Sequence, residues 1–234
     1  MKELLFYIPE LTPALQFAAA QLTRWGFSVT TLPCPDATHV LLGVPATSMP
    51  RPETLPTRAT VFGGNLGDAP YKTMDLLQDE DYLAHNAAIT AHCAVMIAMD
   101  QLPIILADCS TLVIGWGRIS KCLAPMLKGL GADVTVATRS AADRAILQAT
   151  GFGAVDTANI DPNSYRLIFN TAPAPVLDGE WEAVDAVLID LASKKGISGD
   201  RVIWARGLPG KHAPESSGKL IAATILRYLG KEHV

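Results

Sequence analysis

The sequence predicts an α/β protein with parallel sheets and two domains. Short apolar runs typical of buried strands alternate with helix-length stretches along most of the chain. Hydrophobic residues make up 49% of the 234 residues and the mean hydropathy is +0.24, which suits strands that are buried on both faces. A glycine-rich turn at 115–117 separates one such strand from a helix. Because strand–helix–strand units cross over with a right-handed turn, they form parallel, doubly wound sheets.

The N-terminal domain is predicted to cover residues 1–80 and to be a small flavodoxin-like α/β domain. One helix is expected at 13–25, and strands are expected at 4–8, 27–31, 39–44 and 60–62. Residues 45–56 are rich in proline, serine and threonine and are predicted to form a loop. Residues 68–81 are interpreted as an acidic connector with a short helical turn. The domain would then contain about four parallel strands.

The second domain is predicted to cover residues 81–234 and to be a doubly wound parallel Rossmann domain. It begins with a long helix over 81–99, which is expected to link the two domains, and it ends with a helix over 217–229. Its strands are expected at 112–114, 134–137, 167–169, 186–190 and 202–205.

The turn after the strand at 112–114 is typical of dinucleotide binding. Gly115 permits a tight strand-to-helix turn, and Gly117 lets the backbone approach a pyrophosphate on the helix N-terminus. Ser120 stands at the third glycine position of this pattern. The strand, helix and strand around the turn supply the context that the motif requires. We therefore expect the cofactor to contact the turn residues Gly115, Trp116, Gly117, Arg118 and Ile119.

The end of the next strand favours NADP(H) over NAD(H). An NAD site usually has an acidic residue here that accepts from the ribose 2′-hydroxyl. This chain instead has Thr138, Arg139 and Ser140, and a guanidinium between two hydroxyls suits a 2′-phosphate. The sequence alone leaves a second interpretation open, in which Arg139 is a solvated residue of a surface turn.

Other candidate residues follow the carboxyl ends of later strands, where ligands of parallel sheets bind. Cofactor contacts are expected from Asn170, Thr171, Ala172, Pro173, Leu191 and Ser193. The alternative for Asn170, Thr171 and Ser193 is a capping or turn role, which such residues commonly have. Lys211 is a candidate for binding a substrate carboxylate, and His212 is a candidate for proton transfer. Both would lie on a rigid loop of two glycines and two prolines, although loop lysines and histidines often face solvent.

The long helix carries further polar candidates. Asn86 and Thr90 are four residues apart and share one helix face, while His85 and His92 share another. A helix beside an interdomain cleft is expected to contact substrate. We therefore assign Asn86 and Thr90 to substrate binding, with Thr90 also a catalytic candidate. The alternative is that these polar residues face water.

Composition and motif spacing exclude several other classes. A formal net charge of −4 without a Lys/Arg cluster argues against a nucleic-acid partner. The longest apolar run, at 93–99, ends at Asp100, so no membrane span is expected, and the N-terminus does not resemble a signal peptide. Cys34, Cys93, Cys109 and Cys122 lack paired spacing, which indicates reduced thiols in a cytoplasmic protein without a metal site.

The order of several segments resembles the dipicolinate synthase A-subunit family from about residue 61 to the C-terminus. The matching segments are VFGG at 61–64, DLLQDEDYLAHNAAITA at 75–91, the glycine-turn unit at 112–140, NTAPAPVL at 170–177, IDLASKKG at 189–196 and GLPGKHAPESSGKLIAATIL at 207–226. The chain departs from the family pattern at Thr90-Ala91-His92-Cys93, at Ser120 and in its short N-terminal domain.

The resemblance implies an NADP-linked oxidoreductase that converts a dihydrodipicolinate-type cyclic dicarboxylate into the aromatic pyridine dicarboxylate. It also implies a role in dipicolinate biosynthesis during sporulation, a partner in the form of a second synthase subunit, and Gly64 and Lys211 among the substrate contacts. We further expect a homo-oligomer. Two alternatives remain open at this point: a reductase of a 2-hydroxy or 2-oxo acid, and a regulatory subunit that binds NADP(H) without turnover.

Overall fold

A computed structural model describes residues 4–47, 55–56, 58–68, 71–175, 181 and 184–230. The chain divides into two compact units. The first unit combines Met1–Asn86 with Pro209–Val234, and the second consists of Ala87–Leu208. This division differs from the predicted ranges 1–80 and 81–234, because residues 209–234 group with the N-terminal segment.

Strands and helices alternate along the described chain. The helices are α1 (Pro13–Arg24), α2 (Glu80–Gln101), α3 (Arg118–Gly129), α4 (Ala141–Ala149), α5 (Leu208–His212) and α6 (Pro214–Tyr228). The strands are β1 (Leu5–Tyr7), β2 (Ser28–Thr30), β3 (His39–Leu41), β4 (Thr60–Gly63), β5 (Thr73–Asp75), β6 (Ser110–Ile114), β7 (Asp133–Ala137), β8 (Gly153–Val155), β9 (Leu167–Asn170), β10 (Val187–Asp190) and β11 (Ile203–Trp204).

The first unit is built on a five-stranded parallel sheet with the order β2-β1-β3-β4-β5. This order is that of flavodoxin-like folds, as the sequence predicted. The fifth strand, β5, lies in the segment that was interpreted as an acidic connector. Its sequence, Thr-Met-Asp, has no apolar run, so only its pairing with β4 identifies it as an edge strand.

Helices α1 and α6 pack against each other in the first unit. Thr12 caps α1 by accepting a hydrogen bond from the Leu15 N–H at 3.3 Å. Leu15, Ala18 and Leu22 of α1 are buried in one core cluster with Ile225 of α6. The predicted helix at 217–229 is therefore confirmed as a helix, but it begins three residues earlier, at Pro214.

Helix α2 is the longest described helix and meets the length and composition of a membrane span. Its 18-residue window has a mean hydropathy of 1.2, although 44% of that window is buried within the protein. This finding differs from the expectation based on uninterrupted apolar runs. Core helices of globular proteins pass the same test, and Ala87, Ala91, Ala94 and Ala98 bury one side of α2.

The second unit contains a six-stranded parallel sheet with the order β11-β10-β9-β6-β7-β8. Counted from its first strand, this is the doubly wound order 3-2-1-4-5-6, so the predicted Rossmann domain is confirmed. Two of its elements, α4 and β8, were not predicted. Residues 208–212 form the short helix α5, where the sequence was interpreted as a rigid loop.

Candidate functional site

The carboxyl ends of β6, β7 and β9 surround a cavity of about 490 Å³ in the second unit. The chain runs from β6 to β7 and β8 on one side of β6 and then crosses to β9 on the other side, and ligands of doubly wound sheets bind at such a switch point. The cavity is lined by Ile114, Gly115, Trp116, Ala137, Thr138, Arg139, Ser140, Thr157, Ala158, Ala172, Ala174 and Pro175.

The glycine turn has the geometry that a close approach of a ligand requires. Gly115 has a φ of +94°, and a Cβ added there would lie 2.7 Å from the Thr171 hydroxyl, so a larger residue would be both strained and crowded. A Cβ on Gly117 would meet nothing within 4 Å, which leaves open space beside the turn. Gly117 is also the N-cap of α3, and without a side chain it cannot compete with an anion at this helix end.

Ser120 joins the glycine turn to the loop after β9. Its buried hydroxyl lies 2.6 Å from the Thr171 hydroxyl, which is also 2.9 Å from the Ile114 carbonyl. Since a carbonyl only accepts, Thr171 donates to Ile114 and accepts from Ser120. The Thr171 hydroxyl is therefore engaged within the protein, and its contact with a cofactor remains a prediction.

Arg139 and its neighbours lie at the rim of the cavity. The Arg139 side chain is exposed, and within the described part of the chain its guanidinium has no hydrogen bond or ion pair. Thr138 is buried and accepts from the Ser140 N–H at 3.4 Å. Ser140 caps α4 by accepting from the Asp143 N–H at 3.2 Å. The two hydroxyls thus shape the turn, and Arg139 is the group available to a ligand.

Two charged residues that sequence analysis did not select lie beneath this turn. Arg144 Nη1 donates to the Thr138 carbonyl at 2.7 Å and to the Arg139 carbonyl at 2.9 Å. The same atom lies 2.7 Å from Asp156 Oδ2. Arg144 is on α4 and Asp156 follows β8, so this contact depends on two elements that the sequence analysis missed.

A buried amide–carboxylate pair organises the loops after β9 and β10. Asn170 Nδ2 donates to Asp190 Oδ1 at 3.0 Å and to the Ala172 carbonyl at 3.1 Å. Asn170 Oδ1 accepts from the Ala172 N–H at 3.0 Å. The side chain of Asn170 is fully buried, as is that of Asp190. These contacts match the alternative in which Asn170 has a turn role, and its contact with a cofactor remains a prediction. Ala172 lines the cavity, whereas Pro173 is exposed outside the lining.

The loop after β10 carries the two remaining candidate cofactor contacts. Leu191 is buried, and its N–H donates to the Asn170 carbonyl at 2.8 Å. Ser193 is exposed, and its carbonyl accepts from Arg206 Nη1. Trp204 Nε1 donates to the Ala192 carbonyl at 3.3 Å. Trp204 is the last residue of β11, and Arg206 follows that strand. Both side chains hold the loop after β10, although the sequence did not indicate either residue.

Comparisons with known proteins show what the chain resembles. No protein-family model matches the chain. The dipicolinate synthase A-subunit of Bacillus subtilis (strain 168) is 25% identical over 176 residues, which are 70% of this chain and 59% of that protein. The match thus spans less than two thirds of the relative's length. The crystal structure of the dipicolinate synthase A-subunit from Bacillus halodurans has a TM-score of 0.81 at 17% identity, covering 98% of this chain and 99% of that chain. The chain is thus similar, at low identity, to dipicolinate synthase A-subunits in sequence and in fold.

A further solved structure is an NAD-complexed D-isomer specific 2-hydroxyacid dehydrogenase from Lactobacillus delbrueckii ssp. bulgaricus. It has a TM-score of 0.56 at 9% identity and covers 97% of both chains. This likeness, with that to the dipicolinate synthase A-subunit structure, confirms the α/β fold with two parallel sheets. The chain has a Rossmann-like fold.

The remaining candidates of the family pattern belong to the two units as follows. Gly64 is buried in the first unit, where a Cβ would lie 2.8 Å from the Leu77 side chain and 2.9 Å from that of Val44. Lys211 and His212 are exposed on α5 and also belong to the first unit, as does Asn86. Thr90 is buried and belongs to the second unit, with the glycine turn and Arg139.

Proposed function

We propose that the chain binds NADP(H) and uses it to oxidise a dihydrodipicolinate-type cyclic dicarboxylate to the pyridine dicarboxylate. One observation carries the proposal: an open glycine turn and an arginine unpaired among the described residues face the same cavity at the switch point of a Rossmann sheet. The distant relationship to the dipicolinate synthase A-subunit supports the choice of substrate.

The residues around the cavity fit this cofactor. The backbone of Gly115–Ile119 would hold the pyrophosphate at the start of α3, where the helix dipole favours an anion. Arg139 would pair with the ribose 2′-phosphate. The apolar wall of Ala172, Ala174 and Pro175 suits the adenine side. When bound, NADP⁺ supplies a hydride acceptor.

The substrate reaction requires only modest chemistry from side chains. Loss of one hydride and one proton from the dihydro ring gives the aromatic pyridine, so aromatisation provides much of the driving force and orientation is the main task. Lys211 is proposed to bind a carboxylate, and His212 to accept the proton. Neither side chain has a hydrogen bond or ion pair among the described residues, which supports both assignments. Gly64, Asn86 and Thr90 are proposed as further substrate contacts, and the proposed partner is a second synthase subunit.

The first test is cofactor selectivity. NADPH and NADH should be titrated against the protein, with tryptophan fluorescence as the readout because Trp116 lines the cavity. Wild-type protein should bind NADPH more tightly than NADH. Arg139→Gln should weaken NADPH binding by roughly 10-fold or more, since a hydrogen bond to a charged group contributes about 1.5–3 kcal/mol, and should leave NADH binding nearly unchanged.

Arg166→Gln provides a matched control for this substitution. Arg166 Nη1 lies 3.0 Å from Asp185 Oδ2. Because Arg166 precedes β9, it lies at the amino ends of the strands, whereas the cavity lies at their carboxyl ends. Arg166→Gln should keep the wild-type preference for NADPH over NADH. Tighter NADH than NADPH binding by wild-type protein would contradict the NADP assignment.

The second test is turnover with NADP⁺ and dihydrodipicolinate generated in situ, followed by the absorbance of the reduced nicotinamide. Formation of NADPH supports the proposed reaction. Tight NADP(H) binding without turnover of this substrate would support the regulatory-subunit alternative. Turnover of a 2-hydroxy or 2-oxo acid instead of dihydrodipicolinate would support the alternative of a reductase for such acids, whose fold the 2-hydroxyacid dehydrogenase structure shares.

A further inference from the structure

A carboxylate lies close to the turn that carries Arg139. Asp156 directly follows β8, the strand that pairs with β7, and the Thr138 N–H donates to the Val155 carbonyl at 3.0 Å. Asp156 Oδ1 accepts from the Ala158 N–H at 3.0 Å. The two residues that follow Asp156, Thr157 and Ala158, line the cavity. No acidic residue stands at the end of β7, but Asp156 at the end of the neighbouring strand β8 lies at the same rim.

Arg144 neutralises this carboxylate and holds the turn with the same atom. Its Nη1 lies 2.7 Å from Asp156 Oδ2 and donates to the carbonyls of Thr138 and Arg139. The side chains of Arg144 and Asp156 are 24% and 32% exposed, so solvent screens the pair only in part. Removal of Arg144 would therefore leave a partly buried, uncompensated carboxylate beside the rim.

We propose that Arg144 and Asp156 set the preference of this cavity for NADP(H) over NAD(H), with Arg144 as a positioning residue. Arg139 and Arg144 bring two guanidinium charges and Asp156 one carboxylate, so these three side chains together carry one net positive charge. Without Arg144 the charges of Arg139 and Asp156 cancel, and the free carboxylate repels a 2′-phosphate and can accept from a ribose 2′-hydroxyl. This inference rests on the proposed NADP(H) binding and assigns part of its selectivity to a residue outside the cavity lining.

The experiment compares Kd values for NADPH and NADH across four variants of the whole chain. Arg144→Gln should reduce the preference for NADPH by about 10-fold or more, because the charge that compensates Asp156 is lost. Asp156→Asn keeps an oxygen for the Ala158 N–H and should retain or raise the preference. The double variant should recover most of the preference lost in Arg144→Gln. Arg144→Lys keeps the charge and should remain selective for NADPH.

The ratio of the two Kd values separates an electrostatic role from a merely structural one, since general loosening of the site weakens both cofactors. Arg166→Gln removes a comparable arginine from an aspartate pair and should leave the ratio unchanged. An unchanged ratio in Arg144→Gln, with wild-type protein selective for NADPH, would overturn this inference alone. A double variant no more selective than Arg144→Gln would also overturn it. Wild-type protein that binds neither cofactor would refute the proposed function itself.

Discussion

Asp190 shows how one residue fixes two loops of the second unit. Its carboxylate is fully buried and accepts four hydrogen bonds, from Asn170 Nδ2, the Ala192 N–H, the Gly196 N–H and the Ile197 N–H, at 2.7–3.0 Å. A buried carboxylate is tolerated only when its oxygens are satisfied in this way. Gly196 in turn leaves no room for a side chain, since a Cβ would lie 2.6 Å from the Ala174 carbonyl. The loop after β10 therefore supports the wall of Ala172 and Ala174.

Asp190→Asn should destabilise the protein and weaken NADPH binding. An asparagine would direct N–H groups at backbone donors that now bond the carboxylate, at a cost of about 2–4 kcal/mol in the free energy of unfolding. Urea denaturation and NADPH titration measure the two effects. Asp185→Asn is the control, because the Asp185 side chain is 88% exposed and its surface ion pair contributes little. Equal stability of Asp190→Asn and wild-type protein would contradict this account.

At the residue scale, the sequence indicated the positions of those candidate residues that lie within one continuous stretch of chain. Gly115, Gly117 and Arg139 belong to a strand–helix–strand unit whose spacing indicates their positions. Arg144, Asp156 and Asp190 were missed, because their contacts arise from the pairing of β7 with β8 and of β9 with β10. One local signal was available: Ser140 followed by Asp143 is an N-cap pattern and indicates α4.

At the scale of elements, a glycine controls the packing of α1 on α6. A Cβ on Gly218 would collide with the Ala14 carbonyl and would lie 2.7 Å from Phe17 Cβ and 2.8 Å from the Ala18 N. Two of these three neighbours are backbone atoms, which cannot rotate away as a side chain can. The close approach of the two helices therefore requires glycine at this position.

Gly218→Ala should lower the free energy of unfolding of the first unit by about 2 kcal/mol or more, because α6 must move away from α1. Gly129→Ala is the matched control. It lies at the end of α3, where a Cβ would meet nothing within 4 Å, so its effect should be neutral or stabilising by up to about 1 kcal/mol. Thermal or urea unfolding of both variants measures the difference. A Gly218→Ala protein as stable as the control would show that the helices can separate without cost.

Elements with a clear apolar period were predicted, and those without one were not. Strands β6, β7, β9 and β10 have apolar cores and were found within one or two residues of their ends. The edge strands β5 and β8 contain polar or glycine residues, and only their pairing defines them. Helix α5 was interpreted as a loop because its five residues include proline and glycine.

At the scale of the whole molecule, the chain enters the first unit twice. Residues before 87 and residues after 208 belong to one unit, while the second unit, with its six-stranded sheet, lies between them in sequence. Helical periodicity shows that α6 has an apolar side but not which element covers it, so the sequence could not assign α6 to its unit. The pairing with α1 through Gly218 decides this.

An ion pair fastens the two segments of the first unit. Arg227 Nη2, on α6, lies 2.9 Å from Asp79 Oδ1 and 3.2 Å from Asp81 Oδ2. Asp79 also accepts from the Tyr82 N–H at 2.8 Å at the start of α2. Burial raises the pKa of Asp79, but hydrogen bonds from Arg227, the Tyr82 N–H and Tyr228 outweigh it and lower the pKa from 3.8 to about 2.

This pKa shift predicts acid sensitivity of the first unit. Because the folded state lowers the pKa, Asp79 contributes its full stability above the unfolded value of 3.8 and loses it as the pH falls through about 2. The contribution is about 2 kcal/mol, since one pKa unit corresponds to about 1.4 kcal/mol and the half-exposed Arg227 is partly screened. Urea unfolding of wild-type protein and of Asp79→Asn should therefore differ most above pH 4 and converge towards pH 2. A difference that stays constant across this range would mean that Asp79 acts through its helix cap and not through its charge.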